Sequence, residues 1–116
     1  MLDENRRKRY EEKAELLKAL GHPVRLCIVT NLLDRACSVG HMQDCLGLPQ
    51  STVSQHLATL RARGIIRGER QGAEVVYRVV SREAADIVRV LFPEGDDLTR
   101  SVEGTSEQKE AEAGRP

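Results

Sequence analysis

Aromatic residues are scarce in this chain, whose 116 residues include no tryptophan, two tyrosines and one phenylalanine. The core must therefore be built from leucine, isoleucine and valine, and the length suits one domain with a modest core. No apolar run approaches the ~20 residues that a membrane-spanning helix needs. The basic cluster Arg6–Arg9 is followed by no apolar stretch of a secretory signal. We expect a cytoplasmic protein without a membrane partner.

The chain also lacks an even number of cysteines, which complete pairing in disulfides would require. The chain has three, Cys27, Cys37 and Cys45. An odd number in a chain without an export signal argues against a structural disulfide framework. We therefore expect three reduced thiols, which are either buried apolar side chains or reactive groups.

The chain has no net charge, but its charges are unevenly distributed. Residues 93–116 hold seven acids and three bases, a net charge of −4, so residues 1–92 carry +4. We expect residues 1–92 to form one folded domain and residues 93–116, which have few large apolar side chains, to be a disordered acidic tail. A basic region on a neutral chain favours a polyanion as partner and argues against unselective coating of nucleic acid.

Acidic residues are absent from residues 50–63. Val53, Leu57 and Leu60 follow the spacing of one helical stripe, so this segment is predicted to be an amphipathic helix. Its other residues are mostly hydrogen-bonding side chains and arginines, which suit base edges and phosphates, whereas an ordinary surface helix carries both signs of charge. The residues of this helix predicted to contact DNA are Gln50, Ser51, Thr52, Ser54, Gln55, His56, Arg61 and Arg63.

Apolar spacing and turn residues predict the other elements. Helices are expected over residues 4–20, 23–35, 39–46, 50–63 and 82–92, with strands over 65–70 and 74–80. Gly21 is expected to end the first helix as its C′ residue, and Ser38 and Ser81 to cap two others. Gly72 is expected at the tip of the hairpin. The order α-α-α-α-β-β-α predicts a mainly α winged helix-turn-helix domain with a small β-hairpin.

The hairpin after the DNA-reading helix is predicted to be a wing. Arg67, Arg70 and Gln71 are expected to lie on the DNA backbone or in the flanking groove. The first and last helices each have one apolar side, which predicts a homodimer. Two DNA-reading helices would then lie about one DNA turn apart and bind a palindromic operator on double-stranded DNA.

Three segments together resemble the ArsR/SmtB family of winged-helix repressors. They are Leu17–Leu26 (LKALGHPVRL), Gln50–Leu57 (QSTVSQHL) with Leu60 and Gly64, and Gly72–Val79 with its Tyr77 and Arg78. The resemblance covers about residues 10–92. It implies a dimeric transcriptional repressor that leaves its operator when an inducer binds.

The sensing sites of that family do not transfer directly to this chain. The resemblance places the two thiol positions of the arsenic and cadmium sensors on Ser38 and Gly40, and Cys37 precedes the first of them by one residue. The last helix has Glu83 and Asp86 but no histidine, unlike the zinc, cobalt and nickel sensors. It also has no cysteine, unlike the persulfide sensors.

Cys27, Cys37 and Cys45 remain the candidate inducer site, because the elements that carry them are expected to pack together. Soft thiolates suit As(III), a soft metal ion, or a persulfide or other oxidant, and no cofactor is otherwise required. Cys27 is the one of the three most readily explained as plain core. His41 and His22 are alternative ligands, although surface or capping roles explain both.

An enzyme is not expected. A nucleophilic cysteine needs a base held by a third group, and Cys45 with His41 and Asp44 is the only close set. The remaining alternatives are a winged-helix module that binds proteins instead of DNA, and a repressor without a thiol sensor.

Overall fold

The computed structural model describes residues 3–95. Their elements follow the order α1 (Glu4–Leu20), α2 (Pro23–Asp34), β1 (Cys37–Ser38), α3 (Val39–Leu46), α4 (Gln50–Ala62), β2 (Ile66–Gln71), β3 (Glu74–Val79) and α5 (Arg82–Leu91). The predicted mainly α winged helix-turn-helix fold is confirmed. Apart from residues 93–95, the predicted acidic tail lies outside the described residues.

The core is aliphatic, as the shortage of aromatic residues predicts. The predicted stripe of α4, Val53, Leu57 and Leu60, is fully buried and packs into it. Burying each such side chain stabilises the fold by about 1.5–3 kcal/mol, which fixes the rotation of α4 about its axis. Its partners in the buried cluster are Ala19, Leu20, Ile28, Val29, Leu32, Met42, Ile65, Ile66, Tyr77, Ala84 and Val88.

Both predicted serine caps are present. The Ser38 hydroxyl accepts a hydrogen bond from the His41 backbone N–H at 3.2 Å, and the Ser81 hydroxyl accepts one from the Ala84 N–H at 3.1 Å. Each bond satisfies an N–H group that the first turn of a helix leaves unpaired. These serines therefore fix where α3 and α5 begin.

The junction of α1 and α2 differs from its prediction in one respect. Gly21 ends α1, but with a φ of −83° it is not in the left-handed conformation of the usual C′ glycine. Pro23 begins α2 in the first-turn position, as expected. The cap of α2 is the imidazole of His22, whose Nδ1 accepts from the Val24 N–H at 3.1 Å, so the capping role that the sequence offered for His22 is the one observed.

The helix-turn-helix is formed by α3 and α4. Gly47 ends α3 with a φ of 68°, in the left-handed region where a side chain is strained. Pro49 then precedes the first residue of α4 and provides no side-chain hydrogen bond to it. The turn is therefore short, and it sets α4 at a fixed angle on α3.

The β-sheet has three strands instead of the two that were predicted. Their order is β1-β3-β2, and all neighbours are antiparallel. In β1, Cys37 pairs with Tyr77 and Ser38 with Val76. A strand of two residues shows no hydrophobic alternation, so periodicity has no signal for it. The extra strand joins the segment before α3 to the wing.

The wing hairpin turns through two residues, Gly72 and Ala73, between Gln71 and its paired residue Glu74. Gly72 has a φ of 68° and Ala73 does not have a positive φ, as in a type II′ turn with glycine in its first central position. The predicted place of Gly72 at the tip is therefore confirmed.

The first and last helices expose apolar side chains. Tyr10 and Leu17 on α1 are each a little over half exposed, and Val90 and Leu91 on α5 are 78% and 56% exposed. Neither helix alone, nor any other single helix of residues 3–95, is long and apolar enough to cross a bilayer. Only α1 and α2 taken together, with a 91° bend between them, reach that length and composition.

Candidate nucleic-acid interface and thiol pocket

The polar side of α4 is open to solvent. Ser51, Ser54 and Gln55 are exposed, as is Gln50 at the start of the helix, while Thr52 and His56 are half-buried at its edges. No acidic residue lies between Gln50 and Ala62. The face opposite the buried stripe therefore offers hydrogen-bond donors and acceptors without a charge that would repel phosphate.

The N-terminus of α4 adds to this surface. Its cap residue, Pro49, has no side chain that can bond the first-turn N–H groups. The carbonyl of Pro49 accepts from the N–H groups of Thr52 and Val53, both at 3.1 Å. The helix dipole gives this end a partial positive charge, which favours a nearby anion.

Two predicted DNA contacts at the other end of α4 have partners within the protein. The Arg61 guanidinium donates from Nη1 to the hydroxyl of Tyr77 at 3.3 Å. Arg63 Nη2 lies 3.7 Å from a carboxylate oxygen of Glu15 on α1. Arg63 must therefore exchange a carboxylate for a phosphate if it is to contact DNA.

The two arginines of β2 lie on opposite faces of the wing. Side chains alternate along a strand, so Arg67 shares a face with its paired residue Arg78, and Arg70 lies on the other face. Glu69 lies 3.4 Å from Arg78 and offsets part of the charge on the first face. Within residues 3–95, no carboxylate lies within 4.0 Å of Arg67 or Arg70. The predicted contact Gln71 is exposed at the end of β2.

The three cysteines line one cavity, although they come from three elements. Cys27 of α2, Cys37 of β1 and Cys45 of α3 surround about 10 Å³ of space, which is about the least that can hold one water molecule. The remaining lining is mostly apolar, from Ile28, Met42 and Leu46, with Asn31 and His41 as the polar members. None of the three forms a disulfide within the described part of the chain, and all are partly buried.

Two of these sulfur atoms have nitrogen neighbours. Cys45 Sγ lies 3.5 Å from Nε2 of His41, one helical turn earlier on α3. The Asn31 amide donates to Cys27 Sγ at 3.5 Å and to the Cys27 carbonyl at 2.8 Å. Both contacts place a polar nitrogen against a sulfur atom of the shared cavity.

The pKa of the Cys37 thiol is raised above its ordinary value. Burial is the largest cause, and the neighbouring Cys45 adds to it, while the charge of Arg35 acts in the opposite direction. The interaction with Cys45 agrees with the shared cavity in placing these two thiols near each other. At neutral pH, Cys37 is therefore mainly a protonated thiol.

A preassembled metal site is not present in the part of the chain that the structure describes. Among residues 3–95, no three side chains of histidine, cysteine, aspartate or glutamate are arranged to hold an ion. The acidic residues of α5 have other partners, since Glu83 lies 2.6 Å from Lys13, and Asp86 lies 4.0 Å from Arg89. An ion would have to draw the cysteines of the pocket together.

Sequence reasoning did not predict two residues that organise this surface. The Tyr77 hydroxyl accepts a hydrogen bond from Arg61. Nη1 of Arg25 on α2 lies 3.3 Å from Nδ1 of His56 on α4. Both residues belong to the segments that carry the family resemblance, but their contacts depend on tertiary packing, which spacing along the chain does not reveal.

Comparison with known proteins agrees with this architecture. A family model described as a helix-turn-helix domain matches residues 20–69, which run from the end of α1 into β2. The biofilm growth-associated repressor of Xylella fastidiosa is 40% identical over 92 residues, which cover 79% of this chain and 81% of that protein.

Two further proteins are similar to this chain, one in sequence and one in its solved structure. The HTH-type transcriptional repressor SmtB of Mycobacterium tuberculosis is 47% identical over 74 residues, covering 64% of this chain and 55% of that protein. A homodimeric winged helix-turn-helix DNA-binding domain from Mycobacterium bovis, described as a possible ArsR-family regulator, shares the fold. Its TM-score is 0.71 at 22% identity, covering 77% of this chain and 82% of that one.

Proposed function

The chain belongs to the ArsR/SmtB family of winged-helix transcriptional repressors, whose members bind DNA and are not enzymes, and from this premise we propose how it acts. It reads an operator with α4 and the wing, and it leaves that operator when a thiol-reactive inducer acts on its cysteines. The observation that carries the first part is the exposed, acid-free face of α4 above its buried stripe.

Sequence readout is assigned to the exposed face of α4. Ser and Gln side chains can both donate and accept, so they can match the pattern of a base edge in the major groove. The proposed contacts are Gln50, Ser51, Thr52, Ser54 and Gln55. His56, at the edge of this face, is proposed to contact a phosphate.

Backbone contacts are assigned to the arginines. Arg61, Arg63, Arg67 and Arg70 neutralise phosphates, and Gln71 brings the hairpin tip to the flanking groove. Arg63 gives up its ion pair with Glu15 on binding. That pair is exposed, so breaking it costs at most about 1 kcal/mol.

The active form is proposed to be a homodimer on a palindromic operator in the cytoplasm. Tyr10, Leu17, Val90 and Leu91 expose apolar surface on the two terminal helices, and pairing with a second copy would remove it from water. The homodimeric domain from Mycobacterium bovis, which shares this fold, supports the same arrangement.

Inducer action is proposed at Cys27, Cys37 and Cys45. The shared cavity supports this site, because it joins α2, the strand that pairs with the wing, and the first helix of the helix-turn-helix. Its enclosed space of about 10 Å³ holds about one water-sized group. We propose that a bridging As(III), a soft metal ion, or sulfur added by a persulfide or another oxidant draws the thiols into a new arrangement and so displaces at least one of these elements.

Displacement of α3 or β1 changes the angle of α4 relative to the wing. The state with an occupied pocket then binds the operator less tightly, and the inducer shifts the population toward it. Because each thiol lies on a different element, a single bridged pair is sufficient to produce a shift.

Operator binding and release test both parts. Full-length protein is titrated, with reductant present, into a labelled duplex from the region upstream of its own coding sequence and into a random duplex. We expect tight binding to the upstream duplex only. Equal affinity for both contradicts selective operator reading, and binding to neither favours a protein-binding module.

Release is then measured with arsenite, Cd(II) or a persulfide donor. Wild type is compared with the single Cys27→Ser, Cys37→Ser and Cys45→Ser variants and with the triple variant. The triple variant is expected to remain bound. If it is released as readily as wild type, the protein is a repressor without a thiol sensor.

A further inference from the structure

Arg25 connects three helices through one guanidinium group. From the first turn of α2, its Nε donates to the Ala19 carbonyl at 2.6 Å, and its Nη2 donates to the Lys18 carbonyl at 3.5 Å. Both carbonyls belong to the last turn of α1, and that of Lys18 also accepts from the Gly21 N–H at 3.2 Å. Its Nη1 lies 3.3 Å from Nδ1 of His56 on α4. The end of α1 is thereby coupled to the DNA-reading helix.

The contact with Arg25 fixes which nitrogen of His56 carries a proton. A guanidinium is always charged and has only donors, so His56 Nδ1 must be the acceptor. The ring is then neutral, and its single proton is on Nε2, on the other side of the ring. Among the described residues, no other hydrogen bond defines this tautomer.

The surroundings of His56 agree with a neutral ring. Burial lowers its pKa, and so do the neighbouring His22 and Arg25. The His22 ring lies 4.5 Å from the His56 ring, and its own Nδ1 accepts from the Val24 N–H. A second proton on His56 would therefore face a cation and another histidine.

His56 is half-buried and follows Gln55 on the edge of the exposed face of α4. We propose that Arg25 is a positioning residue for DNA binding, which holds the His56 ring neutral so that Nε2–H donates one hydrogen bond to an operator phosphate. This inference rests on the proposed function of α4. It adds a phosphate contact made by an uncharged donor, the His56 Nε2–H. Arg25 on α2 sets the direction in which that donor points.

Three variants separate this role from a general effect on the fold. Arg25→Met keeps the length of the side chain and removes its donors, His56→Ala removes the ring, and the third variant combines them. Arg25→Lys and His56→Gln restore a donor near Nη1 and near Nε2, respectively. Arg82→Met, an exposed arginine on α5, is the matched control. Circular dichroism and thermal unfolding select variants that remain folded.

Affinity for the upstream duplex gives the first result. We expect Arg25→Met and His56→Ala each to weaken binding about tenfold, and the double variant to be no weaker than His56→Ala. Arg25→Lys and His56→Gln should recover part of the loss. Independent losses that multiply to about a hundredfold in the double variant would show that Arg25 does not act through His56.

Two measurements report on the proton of the His56 ring. A purely structural role of Arg25 would not change where that proton lies. The imidazole ¹⁵N signals of His56 should show the Nε2–H tautomer in wild type and a mixture in Arg25→Met. Because a neutral donor releases no counterion, His56→Ala should leave the salt dependence of binding unchanged. A slope reduced by about one would mean a charged ring and would overturn the proposal.

The outcome also separates this inference from the proposed function. If wild type does not bind the upstream duplex selectively, both fail. If wild type binds selectively while the double variant is additive, or while His56 has the Nδ1–H tautomer, operator reading stands and the role of Arg25 is rejected.

Discussion

The Arg61 guanidinium lies 3.3 Å from the Tyr77 hydroxyl and joins the last turn of α4 to β3, the wing strand at the centre of the sheet. Tyr77 is buried, and its ring covers Gly68 of the neighbouring strand. This contact is thus one of the links between α4 and the wing, the two parts proposed to contact DNA.

Replacing Gly68 by alanine should destabilise the wing. An added Cβ would lie 2.7 Å from Cε1 of Tyr77 and 2.8 Å from Cγ1 of Val75, so the tyrosine ring must move. We expect the free energy of unfolding to fall by about 1–3 kcal/mol, as overpacking does elsewhere. Gly40→Ala on α3 is the control, because its Cβ meets nothing closer than 3.9 Å and alanine favours a helix. Urea unfolding measures both, and equal stability of Gly68→Ala and wild type contradicts the close approach.

Removing side chains from the exposed face of α4 should reduce selectivity. Ser54→Ala and Gln55→Ala are each expected to cost about 1–3 kcal/mol on the operator and little on a random duplex, since only base contacts distinguish the two. Thr59→Ala is the matched control, because the Thr59 hydroxyl donates to the Gln55 carbonyl of its own helix at 3.3 Å. Fluorescence anisotropy on both duplexes gives the values. Equal losses on the two would exclude base readout by these residues.

Removing Arg70 should weaken the salt dependence of DNA binding. In Arg70→Ala, the negative slope of log K against log salt concentration is expected to become shallower by about 0.9, as for one lost phosphate contact. Arg67→Ala probes the other face of the wing, so the pair of variants identifies the face that meets DNA. Arg89→Ala on α5 should leave the slope unchanged. If neither wing variant changes the slope, the wing does not contact the backbone.

Cys37 should react slowly with alkylating reagents at neutral pH. Its pKa is raised above the ordinary value of 9.0, so less thiolate is present than in a free cysteine, and the rate should keep rising above pH 9. The raised pKa also means that deprotonation opposes folding, so its contribution to stability is present below pH 9 and is lost as the pH rises further. In Cys45→Ser the pKa should fall partway, since burial remains the larger cause. Iodoacetamide rates from pH 7 to 10, followed by mass spectrometry, test this, and a Cys37 rate equal to that of free cysteine at pH 8 contradicts it.

Most of the fold was predictable because its signals are local. Helical spacing placed the stripe of α4, and serines placed the starts of α3 and α5. The β1 strand escaped prediction because two residues have no period. For His22, capping was one of several roles that the sequence left open, because an imidazole is a less common cap than a serine.

The site was less predictable, since its contacts join residues far apart in the chain. Alternation along β2 was sufficient to place Arg67 and Arg70 on opposite faces, and the sequence interpretation did not use it. The ion pair of Arg63 with Glu15 has no local signature. The convergence of the three thiols could be expected from packing in general terms, but their common cavity required the positions of α2, β1 and α3.

Pairing of β1 with β3 makes Cys37 a direct neighbour of the wing, while α4 is attached to the same region through α3. Under the proposed function, chemical sensing and sequence reading share one small body and still use different residues. Such an arrangement lets evolution, or an engineer, exchange the residues of the pocket to change the inducer while the operator stays the same. Substitutions in the two-residue strand are thus expected to change the inducer response of this regulator without changing its operator.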